Sequence, residues 1–309
     1  MTLPSFLGLG ALRSGSTWLD YLLRRHPRIH MPPQQKEINY FDRYYYRGLD
    51  WYQRFFPPEA EKSTYDAIGE VTPSYLWDPG VPGRIKDLLP DCRFLIILRN
   101  PAERAYSDYK LRVQHRGVKC GFAEYLRKHP YATDQGFYAR QIKRYFALFP
   151  REWFQILFFE RAVREPEATC RRLAEFLSLD AALFDLAGDV TKKKPNASSL
   201  PRFHRTYLSG SRLARVMRAC GQSWLVSAAR DVGLRDFFRE GKPFPPLDAA
   251  SRERLLAQYA EDISELEALL DVDLGFWRHQ SVAPPGAATV RFHGNCAGHD
   301  STCPRRKAG

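Results

Sequence analysis

The segment from Phe6 to Leu23, which reads FLGLGALRSGSTWLDYLL, constrains the fold more than any other part of the chain. Phe6–Leu9 is an apolar run of strand length, and the turn that follows carries glycines at both ends. From Ser16 onward, apolar residues recur at i,i+4 spacing, which predicts a helix. A strand, a glycine-bearing turn and a helix N-terminus place several backbone N–H groups around one concavity. The segment therefore predicts an α/β protein with an anion-binding loop.

The side chains of this turn suit a phosphate or sulfate group. Arg13 adds a full positive charge. Hydroxyl donors stand at Ser14, Ser16 and Thr17. Gly10 and Gly15 have the glycine spacing of a Walker A loop, but Ser16 occupies the position of its lysine, which argues against a P-loop kinase or NTPase. That class stays as an alternative, as does a turn that binds no anion.

A second segment has a similar organisation. Arg93–Leu98 (RFLIIL) is typical of a strand buried on both faces, and Arg99 follows at its carboxyl end, where ligands of open α/β sheets bind. Asn100-Pro101-Ala102-Glu103 then predicts a helix start, and Ser107 lies about two turns into that helix. A strand-end guanidinium and a nearby hydroxyl predict a second anion pocket. A surface salt bridge is the alternative for Arg99 taken alone.

At these residues the chain resembles the sulfotransferases that use 3'-phosphoadenosine 5'-phosphosulfate (PAPS). GALRSGSTWL resembles their 5'-phosphosulfate loop, and LRNPAERAYSDY resembles the strand and helix that hold the 3'-phosphate. KEINYFD (Lys36–Asp42) is similar to the segment of heparan-sulfate and related carbohydrate sulfotransferases that carries the proposed catalytic base. GEVTPSYL and GFYARQIKRYFALFPREWFQILFFE continue the likeness in the family's order, and KPNAS resembles the loop that closes over the donor. The likeness runs from about residue 5 to about residue 277.

The resemblance implies a fold and a role for each motif. The fold would be α/β and P-loop-like, with a mostly parallel central sheet flanked by helices. Glu37 would take the acceptor proton as general base, and Arg13 would stabilise the charge on the leaving phosphate oxygen. The donor-binding residues that it implies are Arg13, Ser14, Gly15, Ser16, Thr17, Trp18, Arg99, Ser107, Tyr138, Lys193 and Lys194. The acceptor-binding residues that it implies are Lys36, Tyr40, Phe41, Thr72 and Tyr75.

Two of these assignments have structural alternatives, and two positions depart from the family pattern. Glu37 would otherwise be a surface carboxylate paired with Lys36 or a nearby arginine, and the Lys192–Lys194 run would otherwise be a solvated face. Arg13 stands where many family members carry lysine, and Val71 stands where heparan-type members carry lysine. The second departure argues against a heparan-like acceptor and leaves the transfer chemistry unaffected.

The composition fits a single enzyme domain. With 309 residues, 27% of them charged and 14% aromatic, the chain has enough apolar material for a large core. We expect a sulfotransferase domain over residues 1–280 and a disordered tail over residues 281–309. No apolar run approaches the ~20 residues of a membrane span, and the first strand leaves no room for a signal peptide, so we expect a cytoplasmic protein.

The net charge of +12 has two explanations. A basic surface is typical of nucleic-acid-binding proteins, but the chain has no helix-turn-helix, zinc-finger or RNA-recognition pattern. The positive charge also suits a strongly anionic donor and an anionic acceptor. The aromatic and basic run Tyr40–Phe56 would border the acceptor site, or would pack as a lid without substrate contact. We expect a small-molecule or carbohydrate acceptor and no nucleic acid.

The six cysteines are scattered and show no paired framework, which favours free thiols. In the tail, His293, Cys296, His299 and Cys303 have a compact spacing that is compatible with a zinc site. That segment is polar and terminal, so we expect disorder there instead. Fixed cations and backbone dipoles can neutralise a transferred sulfuryl group, so the proposed chemistry requires no metal.

The sequence thus predicts a PAPS-dependent sulfotransferase. It would move a sulfuryl group to an acceptor hydroxyl, or less often an amine, and release adenosine 3',5'-bisphosphate. A glycan, a glycolipid or a secondary metabolite would each fit as the acceptor. A P-loop kinase or NTPase and a basic nucleic-acid-binding protein remain as the alternative classes.

Overall fold

A five-stranded parallel sheet forms the centre of the protein in the computed structural model, which describes residues 2–33, 35–186 and 244–278. In chain order β1 to β5, the strands are Phe6–Gly10, Ile29–His30, Ala67–Val71, Arg93–Leu98 and Phe154–Phe158. Their order across the sheet is β2-β3-β1-β4-β5, and each neighbouring pair is parallel. The predicted α/β fold with a mostly parallel central sheet is confirmed.

Helices flank this sheet. Those of the described residues, numbered α1 to α11 in chain order, are Ser16–Leu23, Leu49–Gln53, Val81–Leu88, Pro101–Arg116, Phe122–Lys128, Tyr131–Asp134, Tyr138–Phe146, Phe159–Ala162, Pro166–Leu177, Ala249–Leu270 and Gly275–Arg278. A π-helical turn covers Tyr40–Tyr44. Short 3₁₀ turns cover Tyr45–Arg47, Glu59–Thr64, Arg151–Trp153 and Ala181–Leu183.

Alternating side chains of the strands build two separate cores. On β4, Phe94 and Ile96 join a core with residues of α7 and α10. Leu95 and Ile97 join the other core, with residues of α1 and α9. Successive strand residues point to opposite faces of a sheet, so a strand that is covered on both faces must be apolar throughout. The RFLIIL run meets this requirement, which is why its position could be predicted.

The strand order reverses at β1, and this brings the two anion motifs together. The strand β3 lies on one side of β1 and β4 lies on the other. The turn after β1 and the loop after β4 therefore meet at the same edge of the sheet, where the Ala11 N–H donates to the Ile97 carbonyl at 2.8 Å. Ligands of open α/β sheets bind at such a reversal of strand order.

Two helices show how local sequence sets helix bounds. The apolar spacing after Pro166 predicts a helix over Pro166–Leu177, and α9 has these bounds. The helical spacing after Ser251 predicts a second helix from that residue, but α10 begins at Ala249. The reason is a capping side chain, since the Asp248 carboxylate accepts a hydrogen bond from the Ser251 N–H at 2.8 Å.

The apolar run Trp153–Phe159 predicts a buried strand, and this prediction is wrong in extent and in burial. The strand covers only Phe154–Phe158, because Trp153 belongs to a 3₁₀ turn and Phe159 begins α8. The strand β5 also stands at one end of the strand order, so its first residues stay partly exposed.

Helix α11 is fixed to the loop that follows β4. The Asn100 side-chain amide donates to the Trp277 carbonyl at 2.8 Å, and the Trp277 indole N–H donates to Glu160 Oε2 at 3.2 Å. Glu160 Oε1 in turn accepts from the Asn100 backbone N–H at 2.8 Å. Trp277 is fully buried. The loop that carries Arg99 is thus held by residues far along the chain.

Some predicted features fall outside the described residues: Lys193, Lys194 and the tail 281–309 with its His and Cys residues. Within the described part, the predicted free thiols are confirmed at Cys92, Cys120 and Cys170. None of the described helices is long and apolar enough to cross a membrane. The described residues also contain no group of His, Cys, Asp and Glu side chains suited to a metal ion. The domain bounds and the cytoplasmic location stay predictions.

Candidate anion-binding site

The turn between β1 and α1 is held in a conformation that requires glycine at one end. Gly15 has a φ of 102° and directly precedes the first residue of α1. A Cβ at this position would lie 2.3 Å from Phe159 Cδ2, which is too close for any side chain. Arg13 also lies in the left-handed region, with a φ of 65°. The turn is therefore tightly bent just before the helix N-terminus, as an anion-binding loop requires.

Arg13 connects the two predicted anion pockets. Its Nη2 donates a hydrogen bond to the Ser107 hydroxyl at 3.1 Å. Burial lowers the pKa of Arg13, Asp108 opposes that shift, and the charge of Arg99 adds to it. The buried Nε of Arg13 has no hydrogen-bond partner in the part of the chain that the structure describes. Because a buried donor without a partner costs free energy, this group fits a site that receives an anion.

The start of α4 has the predicted cap. The Asn100 side chain accepts hydrogen bonds from the backbone N–H groups of Ala102 at 3.0 Å and Glu103 at 3.3 Å. Arg99 stands directly before this cap. Its Nη2 lies 3.7 Å from Glu103 Oε2, and its guanidinium carbon lies 5.2 Å from the centre of the Phe159 ring. The salt bridge considered as the alternative for Arg99 is therefore present, with its partner on the first turn of α4.

Lys110 is a further cation of this pocket, and the sequence analysis did not identify it. Glu103, Ser107 and Lys110 share one face of α4, since they follow at i,i+4 and i,i+3 spacing. Burial lowers the pKa of Lys110, and the charges of Arg99 and Arg13 lower it further, whereas Glu103 raises it. Lys110 is thus within electrostatic range of Arg99 and Arg13, and its Nζ lies 4.9 Å from the centre of the Tyr106 ring. The helical spacing from Ser107 was the only signal for Lys110 in the sequence.

Lys36 contacts the loop after β1, although the sequence analysis assigned it to the acceptor. Its Nζ donates to the Ser16 hydroxyl at 3.3 Å and to the Thr17 hydroxyl at 3.1 Å. The same ammonium lies 3.1 Å from Glu37 Oε1. The loop lacks the Walker lysine at residue 16, and Lys36 brings a positive charge to that place from another segment. These contacts group Lys36 with the anion loop.

The Glu37 carboxylate reaches the same loop through Lys36. Its side chain is 44% exposed, and its φ of 65° lies in the left-handed region. Asn39 has a φ of 57°, and its side-chain amide donates to the Glu37 carbonyl at 2.6 Å. An ion pair this exposed contributes little to stability. The stability gained from the Lys36–Glu37 pair therefore does not explain why Glu37 and Asn39 both adopt disfavoured backbone conformations.

Tyr138, Ser14 and Trp18 support the pocket from the protein interior. The Tyr138 hydroxyl donates to the Arg99 carbonyl at 2.9 Å and lies 3.4 Å from the Ser14 hydroxyl. Tyr138 is 1% exposed, and burial raises its pKa to about 12. The Trp18 ring packs in the core, and the Trp18 N–H donates to the Gly15 carbonyl at 2.9 Å. In this conformation, these predicted donor-binding residues offer little surface to a ligand.

The other predicted acceptor-binding residues are also buried. They are at most 3% exposed: Tyr40, Phe41, Thr72 and Tyr75. The Tyr40 ring stacks on Tyr52 with ring centres 4.2 Å apart, and the Tyr75 hydroxyl accepts from the Tyr40 N–H at 2.8 Å. The structure thus brings these four residues together behind the Glu37 segment, and they present no surface to an acceptor in this conformation.

An exposed aromatic cluster with one arginine lies on the following turn. Tyr46 is 78% exposed. The Arg47 guanidinium carbon lies 5.4, 6.0 and 5.1 Å from the ring centres of Tyr44, Tyr46 and Trp51. Aromatic faces stack on sugar rings or phenols, and a guanidinium group pairs with acidic groups. Within the run Tyr40–Phe56, this cluster leaves aromatic surface exposed to solvent.

The charges of the site fit a ligand with two anionic groups. Among the described residues, the cations come from three segments of the chain and outnumber the carboxylates that act on them, Glu37, Glu103 and Asp108. These cations are Arg13, Lys36, Arg99 and Lys110. Like charges this close repel one another until an anion joins them. One group of positive charge lies at the loop after β1, and the other lies along α4.

The family of the protein follows from residues 4–201. This part of the chain matches the family model described as "Sulfotransferase domain". The chain belongs to the sulfotransferase family. The match includes Arg13, Glu37, Arg99 and Ser107, and it confirms the resemblance found in the sequence motifs.

Three named relatives show how far the similarity extends. The membrane-associated sulfotransferase kil1 of Dictyostelium discoideum is 37% identical over 114 residues, which cover 37% of this chain and 24% of the relative. Human bifunctional heparan sulfate N-deacetylase/N-sulfotransferase 3 is 26% identical over 294 residues, which cover 87% of this chain and 30% of the relative. Human heparan sulfate glucosamine 3-O-sulfotransferase 6 is 29% identical over 214 residues, which cover 64% of this chain and 61% of the relative. The chain thus spans less than two thirds of the length of these sulfotransferase relatives.

A solved sulfotransferase structure has the same architecture. The sulfotransferase from Alicyclobacillus acidocaldarius superposes with a TM-score of 0.66 at 26% sequence identity. The superposition covers 90% of this chain and 100% of that protein. This likeness supports the P-loop-like fold of the chain.

Proposed function

We propose that this sulfotransferase moves the sulfuryl group of PAPS to an acceptor hydroxyl and releases adenosine 3',5'-bisphosphate. The observation that carries the proposal is the hydrogen bond from Arg13 to Ser107, which joins the loop after β1 to the pocket on α4. A donor with a phosphosulfate at one position and a 3'-phosphate at another matches two adjoining anion sites. Membership of the sulfotransferase family supports the same donor.

Each anionic group of the donor has its own set of residues in this proposal. The residues assigned to the 5'-phosphosulfate are Arg13, Ser16, Thr17 and Lys36, together with the backbone N–H groups of the loop. The residues assigned to the 3'-phosphate are Arg99, Ser107 and Lys110. Lys193 and Lys194, outside the described residues, stay predicted as a cap over the donor. The donor, when bound, supplies an activated sulfuryl group on a phosphate leaving group.

Glu37 is the residue that we assign as general base. Its carboxylate accepts the proton of the acceptor hydroxyl as that oxygen takes over the sulfuryl group. Lys36 lies 3.1 Å from this carboxylate and also contacts the loop hydroxyls, so it keeps the base beside the 5'-phosphosulfate site. Arg13 stabilises the negative charge that develops on the leaving phosphate oxygen. The chain's own residues thus supply a base on one side and positive charge on the other.

A carbohydrate is the acceptor that suits the exposed cluster of Tyr44, Tyr46, Arg47 and Trp51. Its ring faces can stack on a sugar, and Arg47 can pair with an acidic substituent. Two of the relatives are named for heparan sulfate, which is a carbohydrate polymer. Val71, however, stands where the heparan-type motif carries lysine. We therefore propose a carbohydrate acceptor other than heparan sulfate.

Calorimetry with two nucleotides tests the donor. The protein should bind adenosine 3',5'-bisphosphate more tightly than ATP in the presence of magnesium, because only the former places a phosphate in the pocket of Arg99 and Ser107. Tighter binding of ATP, or hydrolysis of ATP, would point to the kinase or NTPase class instead.

Mass spectrometry tests the acceptor. Extracts of the organism that encodes the protein are incubated with the protein and PAPS. Products that gain the mass of one sulfuryl group are then fragmented. The fragments should contain sugar residues. A product without any sugar would overturn the carbohydrate assignment and would leave the donor assignment intact.

A further inference from the structure

Glu70 is a buried carboxylate near the end of β3, and none of the proposed steps uses it. It is 1% exposed. Its Oε1 accepts hydrogen bonds from the hydroxyls of Tyr52 and Tyr75, both at 2.9 Å. Its Oε2 accepts from the Thr72 hydroxyl at 2.6 Å. The carboxylate is thus fully engaged in the interior, although it contacts neither of the two anion pockets.

Two of these three hydroxyls continue to the backbone that follows Glu37. The Tyr75 hydroxyl accepts from the N–H groups of Tyr40 at 2.8 Å and Phe41 at 3.4 Å. The Thr72 hydroxyl accepts from the Asn39 N–H at 3.4 Å. Three successive amides, of residues 39–41, are therefore held by a hydroxyl that Glu70 orients.

The segment that these amides fix is the one that most needs support. Glu37 and Asn39, with φ of 65° and 57°, both lie in the left-handed region, which side chains other than glycine adopt rarely. Such conformations persist only where the surroundings hold them. The Glu37 side chain is 44% exposed and its carboxylate is paired with Lys36, so its place also depends on the backbone that carries it.

We propose that Glu70 is a positioning residue for Glu37: through Tyr75 and Thr72, it fixes the backbone that places the base beside the anion loop. The inference rests on the proposed function, because it concerns the residue to which proton transfer is assigned. It goes beyond that function because the geometry of the base then depends on Glu70, a residue that does not contact the acceptor.

The surroundings of Glu70 give this support a pH dependence. The groups that face it are the Tyr52 phenol from α2, the Tyr75 phenol and Thr72 hydroxyl after β3, and the Cys92 thiol before β4. Burial raises the pKa of Glu70 to about 7. A protonated carboxyl group would have to donate to one of the hydroxyls that now donate to it. The hydrogen bonds that orient the backbone after Glu37 should therefore rearrange as the pH falls through this range, even though burial makes the protonated form of Glu70 the more favourable one for folding.

Tyr75→Phe and Tyr52→Phe form a matched pair for the test. Each removes one hydroxyl that donates to the same Glu70 oxygen at the same distance, but only Tyr75 continues to the Tyr40 and Phe41 amides. The readout is release of adenosine 3',5'-bisphosphate from PAPS with water as the acceptor. Tyr75→Phe should lower kcat about tenfold or more, because a small displacement of a catalytic group has large effects. Tyr52→Phe should stay close to the unmodified protein.

Three further measurements separate positioning from a general loss of structure. The affinity for adenosine 3',5'-bisphosphate should be unchanged in both variants. Hydrogen exchange at the amides of residues 39–41 should be faster in Tyr75→Phe and not in Tyr52→Phe. Glu70→Gln should retain more activity than Glu70→Ala, and it should remove an ionisation near pH 7 from the kcat profile.

The possible failures are distinguishable. If Tyr75→Phe and Tyr52→Phe have equal kcat values and equal exchange at residues 39–41, Glu70 does not position Glu37. If the unmodified protein neither binds adenosine 3',5'-bisphosphate nor cleaves PAPS, the proposed function itself is wrong. An equal loss of nucleotide affinity and kcat in Tyr75→Phe would mark the network as a support of the whole site and would also overturn the inference.

Discussion

The two halves of the site are built by different means. On the 3'-phosphate half, Arg99, Ser107 and Lys110 stand at the end of β4 and along α4, a regular helix whose start is capped by Asn100. On the Glu37 half, the backbone is irregular and left-handed at two residues. Its supporting hydroxyls lie 33 and 35 positions further along the chain. The first half is organised by one capped helix, with its Arg99 loop also anchored to α11, whereas the irregular backbone of the second half is supported by tertiary contacts.

Under the proposed function, the two halves have separate roles: one binds the nucleotide, and the other carries the general base. A capped helix holds its side chains by its own backbone hydrogen bonds, so the 3'-phosphate pocket should be preformed. The position of Glu37 instead depends on a buried carboxylate and its hydroxyl partners. Changes in one half should therefore leave the other half intact, and this independence can be tested from each side.

The largest effect is expected at the base. Glu37→Gln keeps the size of the side chain but cannot accept a proton, so kcat should fall about 10²–10⁴-fold. The affinity for adenosine 3',5'-bisphosphate, measured by calorimetry, should stay nearly unchanged. Glu124→Gln, a change on α5 that removes an exposed ion pair with Lys128, is the control. Normal turnover in Glu37→Gln would rule out Glu37 as the general base. A parallel loss of nucleotide affinity would show that the two halves are not independent.

The next effect concerns stability and pH on the Glu37 half. The pKa of Glu70 is raised from 4.5 to about 7 in the fold, so folding favours its protonated form. Its stabilising contribution is present below the ordinary carboxyl pKa and is lost as the pH rises through about 7. The upper bound of this loss is about 3 kcal/mol. Chemical denaturation at several pH values should show that Glu70→Gln removes this slope, and an unchanged slope would contradict the assignment.

A smaller effect is expected at Arg99. Arg99→Ala should weaken the binding of adenosine 3',5'-bisphosphate by about 2 kcal/mol, because a charge-assisted contact with the 3'-phosphate is lost. Binding of adenosine 5'-phosphosulfate, which has no 3'-phosphate, should barely change. Calorimetry with both nucleotides measures the difference. An equal loss for both would assign Arg99 to the fold rather than to the 3'-phosphate.

The smallest effect is expected at Lys110. Lys110→Gln should weaken the binding of adenosine 3',5'-bisphosphate by about 1 kcal/mol, since one of several cations is removed and the helix is kept. Lys128→Gln, an exposed lysine on α5, is the matched control and should have no effect on affinity. Affinity that is unchanged in Lys110→Gln would limit the 3'-phosphate pocket to Arg99 and Ser107.

The elements of the proposed 3'-phosphate half could be predicted because they follow local rules. An apolar strand, an Asn-Pro helix start and a hydroxyl two turns later are visible without knowledge of the fold. The glycine-bearing turn was predictable for the same reason. Lys110 was missed because helical spacing alone does not show that α4 turns this face, rather than another, toward the site.

The other half was predicted less well because its contacts are tertiary. Lys36 was assigned to the acceptor by its place beside Glu37, and no local pattern shows that its ammonium reaches Ser16 and Thr17. Tyr75 was likewise assigned to the acceptor, although its hydroxyl is enclosed between Glu70 and the Tyr40 amide. A motif shows that residues belong to a site, but burial decides which of them can touch a ligand.

The contact between Asn100 and Trp277 means that the folded domain extends beyond the segments that carry the recognisable motifs. The family match ends at residue 201, yet the loop that carries Arg99 is held by the carbonyl and indole of a residue in α11. A version of the chain that ends before α11 would keep every motif and lose the partner of the residue that caps α4. Recombinant fragments and domain exchanges should therefore be bounded by this contact and not by the last recognisable motif.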